Sequence, residues 1–368
     1  MVEALKRIDK KILIIVGIVL LSPILLIIFL AIFRGCGNSK LTYDKYEERM
    51  IAATENYIKG KEPKEEGQTL IVELSDLVEG GYIKSTEKLL DDTTCKGSVT
   101  VRRNGSSIEE TKGGYLNYTV SLECDNHKTN TLKSNILNDL VTEGNGLYEL
   151  NGRYVFKGDK VNNYIEFYGV PYRILNIDSN GYAKLFKVEK QALDRVWDNK
   201  YNINSDYLSG INVYKDSVIK DYLINDYNSE KNFSEAAKKH LVAADVCIDS
   251  KGYNDEILNK YNCSNKIEKQ VISLIDIEDY ALASLDVNCT SLYSKSCINY
   301  NYFNDISLLT WTMNSLKDNT YDVYYIQDGS IYSKTASKYE DYNLVIYIDI
   351  NEKIVSGKGI ETEPYIIK

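Results

Sequence analysis

Six cysteines carry the most definite chemistry in this sequence, because they occur as three pairs of near neighbours. They are Cys95 and Cys124, Cys247 and Cys263, and Cys289 and Cys297. An even number of cysteines in an exported region indicates disulfide bonds, and this grouping favours the neighbouring pairs among the many possible pairings. A metal site is the weaker alternative, because the chain has no CxxC pair and only 2 histidines. The sequence therefore predicts three disulfides with this connectivity.

Side chains that could carry out catalysis are scarce. The sequence contains no phosphate-binding loop, no GxSxG nucleophile motif and no HExxH zinc motif. His127 follows Cys124 in a polar segment and His240 lies in a lysine-rich helix, so surface positions are expected for both. We predict that this chain is not an enzyme and has no catalytic residues, no metal ligands and no cofactor.

Two runs of acidic and amide side chains are the candidates for calcium binding. One contains Asp318, Asn319 and Asp322, and the other contains Asp349 and Asn351. Calcium takes about six to eight oxygen ligands, and neither run has the spacing of an EF-hand loop. We expect polar turns at both places, and calcium binding stays an open alternative.

Aromatic side chains are the candidates for contact with a ligand. The chain has 31 tyrosines, and a tyrosine combines a rigid apolar ring with a polar hydroxyl, which suits the binding of glycans and proteins. Most of them are expected to fill sheets, because Trp and Phe are few. We predict that four aromatic residues face a ligand: Trp197, Tyr201, Trp311 and Tyr324. The net charge of −9 argues against nucleic acid as the partner.

Residues 12–33 contain no charged side chain and predict an uncleaved transmembrane helix. As a helix they would span about 33 Å, which exceeds a hydrocarbon core of about 30 Å. Basic residues in 1–11 favour a cytoplasmic N-terminus. We therefore predict a single-pass plasma-membrane protein that contacts the lipid bilayer through one helix and has most of its chain outside the cell. Cys36 follows this segment, and both lipidation and a free or intermolecular thiol stay open.

Residues 41–130 predict a small domain of one helix and an antiparallel sheet. Apolar side chains recur every three or four residues from Tyr43 to Tyr57, as on one face of a helix. Alternating residues predict strands at 98–103 and 115–124, joined near the Asn104-Gly105 turn signal. This order of elements resembles type IV pilin-like subunits, although the pilin processing signature is absent. The resemblance implies an alternative role as a subunit of a pilus-like surface structure.

Residues 131–145 are predicted to be a linker, and residues 146–368 to be a larger domain of mixed elements. Turn signals between apolar runs predict a meander of strands from 164 to 188. Helices are predicted at 217–226, 234–242 and 276–285, and strands return at 323–326 and 344–350. The fold class predicted for the whole chain is α+β.

A series of short motifs in the larger domain resembles a bacterial domain family of unknown function. The motifs are Trp197-Asp198-x-Lys200-Tyr201-Asn202, Ser273-Leu274-Ile275, Trp311-Thr312, Val323-Tyr324-Tyr325-Ile326 and Val345-Ile346-Tyr347. The family is common in anchored surface proteins of low-GC Gram-positive bacteria and is remotely similar to C-type-lectin-like and sulfatase-modifying-factor folds. The resemblance implies a C-type-lectin-like domain over 146–368. Asn343-Leu344 departs from the Arg-Pro usual in the family, which removes a charge that could hold a ligand.

These observations together predict a non-enzymatic protein of the cell surface. Its expected role is to bind a glycan or a surface protein through the larger domain, and its alternative role is structural assembly.

Overall fold

The computed structural model describes residues 40–104, 115–204, 208–256 and 263–368. Strands account for 37% of the fold and helices for 22%, so the chain is mostly β-sheet and the predicted α+β class is wrong. The predicted transmembrane helix at 12–33, the tail at 1–11 and Cys36 lie outside the described residues.

The longest described helix has 15 residues, and none in the described ranges is long and apolar enough to cross a bilayer. A spanning helix needs about 20 apolar residues. The described residues therefore give no support to the prediction of a single-pass plasma-membrane protein with an extracellular bulk.

The first part of the described chain, residues 40–130, forms a smaller module. Its elements are α1 (Tyr43–Tyr57), β1 (Thr69–Glu73), α2 (Leu74–Glu79), α3 (Thr86–Leu90), β2 (Lys96–Asn104), β3 (Tyr115–Cys124) and β4 (His127–Lys128). The four strands pair in sequence order as an antiparallel sheet. The hydroxyl of Thr42 accepts a hydrogen bond from the Lys45 backbone and starts α1. The apolar face of α1 then packs on the sheet, with Tyr46 and Met50 fully buried.

Residues 131–145 do not form the predicted linker. They contain α4 (Leu132–Ile136), which Thr131 caps, and a 3-10 helix at Leu137–Asp139. Leu132 and Ile136 are fully buried in the core of the following residues. The segment therefore belongs to the larger module, which we define as residues 131–368.

The larger module is built on an eight-stranded sheet. Its strands are β5 (Gly146–Leu150), β6 (Arg153–Lys157), β7 (Tyr164–Phe167), β8 (Val170–Ile177), β9 (Tyr182–Lys187), β13 (Ile272–Ser273), β18 (Val345–Asp349) and β19 (Tyr365–Ile367). The main path runs β13-β18-β9-β8-β6-β5, and β7 pairs with both β8 and β19. Every residue of β18 is buried, as expected for a central strand with an apolar run.

Smaller elements cover this sheet. They are β10 (Ala192–Val196) with β17 (Tyr339–Tyr342), β11 (Ala244–Cys247) with β12 (Lys266–Gln270), the sheet β14 (Leu309–Ser315), β15 (Asp322–Gln327) and β16 (Ser330–Thr335), and the helices α5 (Val218–Asn228), α6 (Glu235–His240) and α7 (Ile277–Leu282). Short 3-10 helices lie at Tyr214–Asp216, Lys295–Ile298 and Tyr302–Asp305. Each of the three predicted helices of this module is present: α5 ends two residues later than predicted, whereas α6 and α7 are shorter than predicted.

The predicted disulfides are confirmed. Cys95 bonds to Cys124, Cys247 to Cys263 and Cys289 to Cys297, with Cα atoms 4.0, 5.6 and 4.7 Å apart. The first bond joins the start of β2 to the end of β3, which the antiparallel register of these strands brings together.

The two modules meet through buried polar groups, and we call this surface the junction. Arg102 of β2 forms an ion pair with Asp349 at the end of β18, at 2.7 Å. The Asn117 amide of β3 donates to Glu352 Oε1, also at 2.7 Å, and both residues are almost fully buried. Such partners are specific in geometry and hold the modules in one arrangement.

Candidate functional site

A polar cavity of about 170 Å³ lies in the larger module, against the turn between β8 and β9. We call it the Tyr182 cavity. Its walls come from β8, β9, β11 and the start of α7, and its lining residues of most chemical interest are Arg153, Asn176, Asp178, Asn180, Tyr182, Lys184, Asp245, Lys266, Asp276, Glu278, Asp279 and Tyr347. Chain segments far apart in sequence therefore meet at one place.

The turn that carries Tyr182 is fixed by its own hydrogen bonds. The Asp178 carboxylate accepts from the backbone N–H of Asn180 at 2.9 Å and from that of Tyr182 at 2.8 Å. Gly181 has φ of +80°, a conformation that favours glycine. These local interactions fix the backbone of the turn at Tyr182, whose side chain lines the cavity.

A buried ion pair forms the floor of the cavity. The Lys184 ammonium donates to one oxygen of Asp279, and the Asn176 amide donates to the other oxygen at 2.7 Å. Asn176 and Lys184 are opposite each other on β8 and β9, so the sheet register sets this arrangement. All three residues are buried, which gives the charges a poorly hydrated setting.

The start of α7 adds two further carboxylates. Asp276 caps the helix by accepting from the backbone N–H of Glu278 at 2.8 Å, and Glu278 pairs with Lys251 at 2.5 Å. Burial, and next the charge of Asp276, raises the pKa of Glu278 to about 7. Burial, together with Asp279, also raises the pKa of Asp276. These carboxylates therefore hold their protons more tightly in the folded chain than in the unfolded one.

The free energy of unfolding is expected to fall as the pH rises from 5 to 8. The Glu278 contribution is fully present below its unfolded pKa of 4.5 and is lost as the pH rises through its folded pKa of about 7. The loss is on the order of 2 kcal/mol, at about 1.4 kcal/mol for each pKa unit.

Denaturant unfolding at pH 5 and pH 8 measures this fall, with Glu278→Gln as the variant that cannot ionise. The variant should show a smaller difference between the two pH values, whereas Glu268→Gln, at an exposed position on β12, should behave like the unaltered chain. An equal pH dependence in all three proteins would contradict the role given to Glu278.

Three of the four aromatic residues predicted to face a ligand lie in the core instead. Trp197, Trp311 and Tyr324 are 0% exposed. Each satisfies its polar atom on a backbone carbonyl: Trp197 on Thr312, Trp311 on Arg195 and Tyr324 on Lys251. A large ring with one internal partner is stable in a core, which is why the prediction was wrong for these three. Tyr201 is 63% exposed, but it does not line the Tyr182 cavity.

The two histidines are also not at the surface positions expected for them. His127 Nε2 lies 2.8 Å from Glu47, and His240 Nδ1 lies 2.8 Å from Glu352. Both carboxylates are at most 3% exposed and belong to the junction. Each histidine therefore pairs within its own module, with a carboxylate that also contacts the other module: Glu47 contacts Lys353, and Glu352 contacts Asn117.

The candidate calcium runs form local turns. Asp349 Oδ1 accepts from the backbone and side chain of Asn351, and the Asn319 amide donates to Asp322. Within the described ranges, the groups spaced like metal ligands are Asp92 with Cys95 and Cys124, and Asp249 with Cys247 and Cys263. In both groups the cysteines are disulfide-bonded, so their sulfur atoms are poor ligands.

The chain was compared with protein-family models, with curated proteins and with solved structures, and no match was found in any of the three.

Proposed function

We propose that this protein is not an enzyme and binds a glycan, with the Tyr182 cavity as the binding site. The observation that carries the proposal is the combination of a tyrosine ring with amide, carboxylate and ammonium groups around one small cavity. Sugars present both an apolar ring face and many hydroxyl groups, and this combination of side chains matches both.

The charge of the lining favours neutral sugars over anionic ones. Five carboxylates and three basic side chains line the cavity, so acidic side chains outnumber basic ones. Hydroxyl groups donate strong hydrogen bonds to carboxylates, whereas a ligand carboxylate or sulfate would be repelled by them. The volume of about 170 Å³ is below the roughly 300 Å³ of sites for drug-sized molecules and suits one sugar ring.

Replacing Tyr182 by alanine is expected to reduce glycan affinity at least about tenfold, because truncating a central aromatic contact costs on the order of 2 kcal/mol. The full chain is first screened on an array of neutral and anionic glycans. Calorimetry then measures the affinity of the full chain and of the variant for the neutral glycans that bind on the array.

Two further variants make this test specific. Asn180→Ala removes an exposed amide of the same cavity without removing the Tyr182 ring, and it should also weaken binding. Tyr339→Ala removes a tyrosine that is 65% exposed and lines no described cavity, and it should bind as the unaltered chain does. Equal affinity in all variants, or binding only of anionic glycans, would refute the proposed site.

A further inference from the structure

A second cavity, of about 230 Å³, adjoins the Tyr182 cavity at the junction of the two modules. We call it the junction cavity. The smaller module contributes Glu66, Arg102, Arg103 and Asn104 to its lining, and the larger module contributes Val242, Ala243 and Lys269. Three further residues, Asn180, Tyr182 and Asp245, line both cavities. The two cavities are therefore neighbours with a common wall.

The common wall is held in place from both modules. The Arg102 guanidinium lies over the Tyr182 ring at 5.2 Å from its centre and also pairs with Asp349. The Lys269 ammonium lies 3.5 Å from a carboxylate oxygen of Glu66, across the same cavity. These contacts hold residues of the smaller module against the wall that the two cavities share.

The junction cavity contains an acceptor that the protein itself leaves unsatisfied. Glu66 Oε1 is enclosed and has no hydrogen-bond partner among the described residues. A buried polar atom without a partner costs roughly 1–3 kcal/mol, and a ligand hydroxyl could remove that penalty. Glu66 therefore adds an unpaired acceptor to the residues that line the junction cavity.

The size of the combined space points to a ligand longer than one sugar. Together the two cavities enclose about 400 Å³, which falls in the range of roughly 300–1,000 Å³ that ligand sites occupy. The Tyr182 cavity alone does not reach that range.

We infer that the ligand is a neutral oligosaccharide of at least two sugar units, which occupies both cavities and passes the Tyr182 ring between them. This inference rests on the proposed glycan binding and extends it to the smaller module. It assigns Glu66 and Lys269 to a second subsite and leaves Lys266 with the first.

Two lysines of one strand separate the subsites experimentally. Lys266 and Lys269 both lie on β12 and are both exposed, but Lys266 lines the Tyr182 cavity and Lys269 lines the junction cavity. The full chain, Lys266→Ala and Lys269→Ala are titrated by calorimetry with three pairs of sugars. The pairs are N-acetylglucosamine with its β-1,4-linked tetramer, mannose with mannotetraose, and glucose with maltotetraose.

In at least one pair, the tetrasaccharide is expected to bind the unaltered chain about tenfold or more tightly than the monosaccharide. Lys269→Ala should lower only the tetrasaccharide affinity, about fivefold, whereas Lys266→Ala should lower both affinities. Two results would overturn the second subsite and leave glycan binding intact. One is equal affinity of the unaltered chain for monosaccharide and tetrasaccharide, and the other is a Lys269→Ala variant that loses monosaccharide affinity as Lys266→Ala does. Absence of binding in all three pairs would count against the glycan proposal itself and therefore against both.

Discussion

Replacing Glu47 by alanine is expected to lower the free energy of unfolding by about 3–5 kcal/mol, because the change breaks a buried charge network at the junction. Glu47 lies on α1 and is 1% exposed. Its carboxylate accepts from Thr129 Oγ1 at 2.6 Å and His127 Nε2 at 2.8 Å in the smaller module, and from the Lys353 ammonium in the larger module. Without it, these three donors lose a common partner, and the modules lose one of the bonds that join them.

The matched control is Glu48→Ala, one residue further along the same helix. The Glu48 side chain is 62% exposed and, among the described residues, forms an ion pair with Lys45 alone. Its removal should therefore change stability by less than about 0.5 kcal/mol. Urea unfolding of the full chain measures both variants at one pH. Similar losses in the two variants would contradict the role of Glu47 in the junction.

Replacing Trp311 by alanine is expected to cost about 3–5 kcal/mol of stability and to leave the glycan affinity of the folded protein unchanged. Trp311 is fully buried on β14, its N–H donates to the Arg195 carbonyl at 2.8 Å, and its ring meets Tyr325 edge to face. The substitution leaves a large cavity and an unpaired carbonyl, and both are penalties of folding rather than of binding.

Tyr201→Ala is the control for this second substitution, because Tyr201 comes from the same group of predicted ligand-facing residues and is 63% exposed. It should cost less than about 1 kcal/mol. Unfolding curves give stability, and titrations corrected for the folded fraction give affinity. A stable Trp311→Ala protein that has lost glycan binding would show that Trp311 faces the ligand after all.

The elements that the sequence predicted well are those whose signals are local. In β2 and β3, Val99 and Val120 alternate with polar neighbours, and the two residues pair across the sheet as this alternation requires. Disulfides between near neighbours were predicted for the same reason, since short separations limit the possible pairings. Ser234 and Asp276, which begin two of the predicted helices, cap α6 and α7 in the structure.

The candidate site could not be predicted, because it depends on contacts between distant residues. Lys184 and Asp279 are 95 positions apart, and only the order of strands in the sheet brings them together. The helix predicted at 276–285 begins at Asp276, but no pattern in the sequence shows that the Asp276 carboxylate lines a cavity. Local patterns predict helices and strands. A site built from several of these elements can be located only when the order and pairing of the strands are known.

Burial of polar side chains was the other feature that the sequence did not reveal. Arg173 is 1% exposed, donates to Asn163 and stacks on the ring of Tyr164 at 3.7 Å.

Burial alone would lower the pKa of His240, but the Glu352 carboxylate raises it overall. Protonated His240 therefore stabilises the junction below its unfolded pKa, and this contribution is lost as the pH rises through the folded value.

The most direct test of glycan binding in the Tyr182 cavity is a crystal structure of the full chain with the tetrasaccharide that binds most tightly. The predicted result is one sugar ring against Tyr182, with hydroxyl groups at Asn180 and Asp245, and a second ring in the junction cavity near Glu66 and Lys269. A tetrasaccharide bound at another surface, with no sugar against Tyr182, would contradict the proposal.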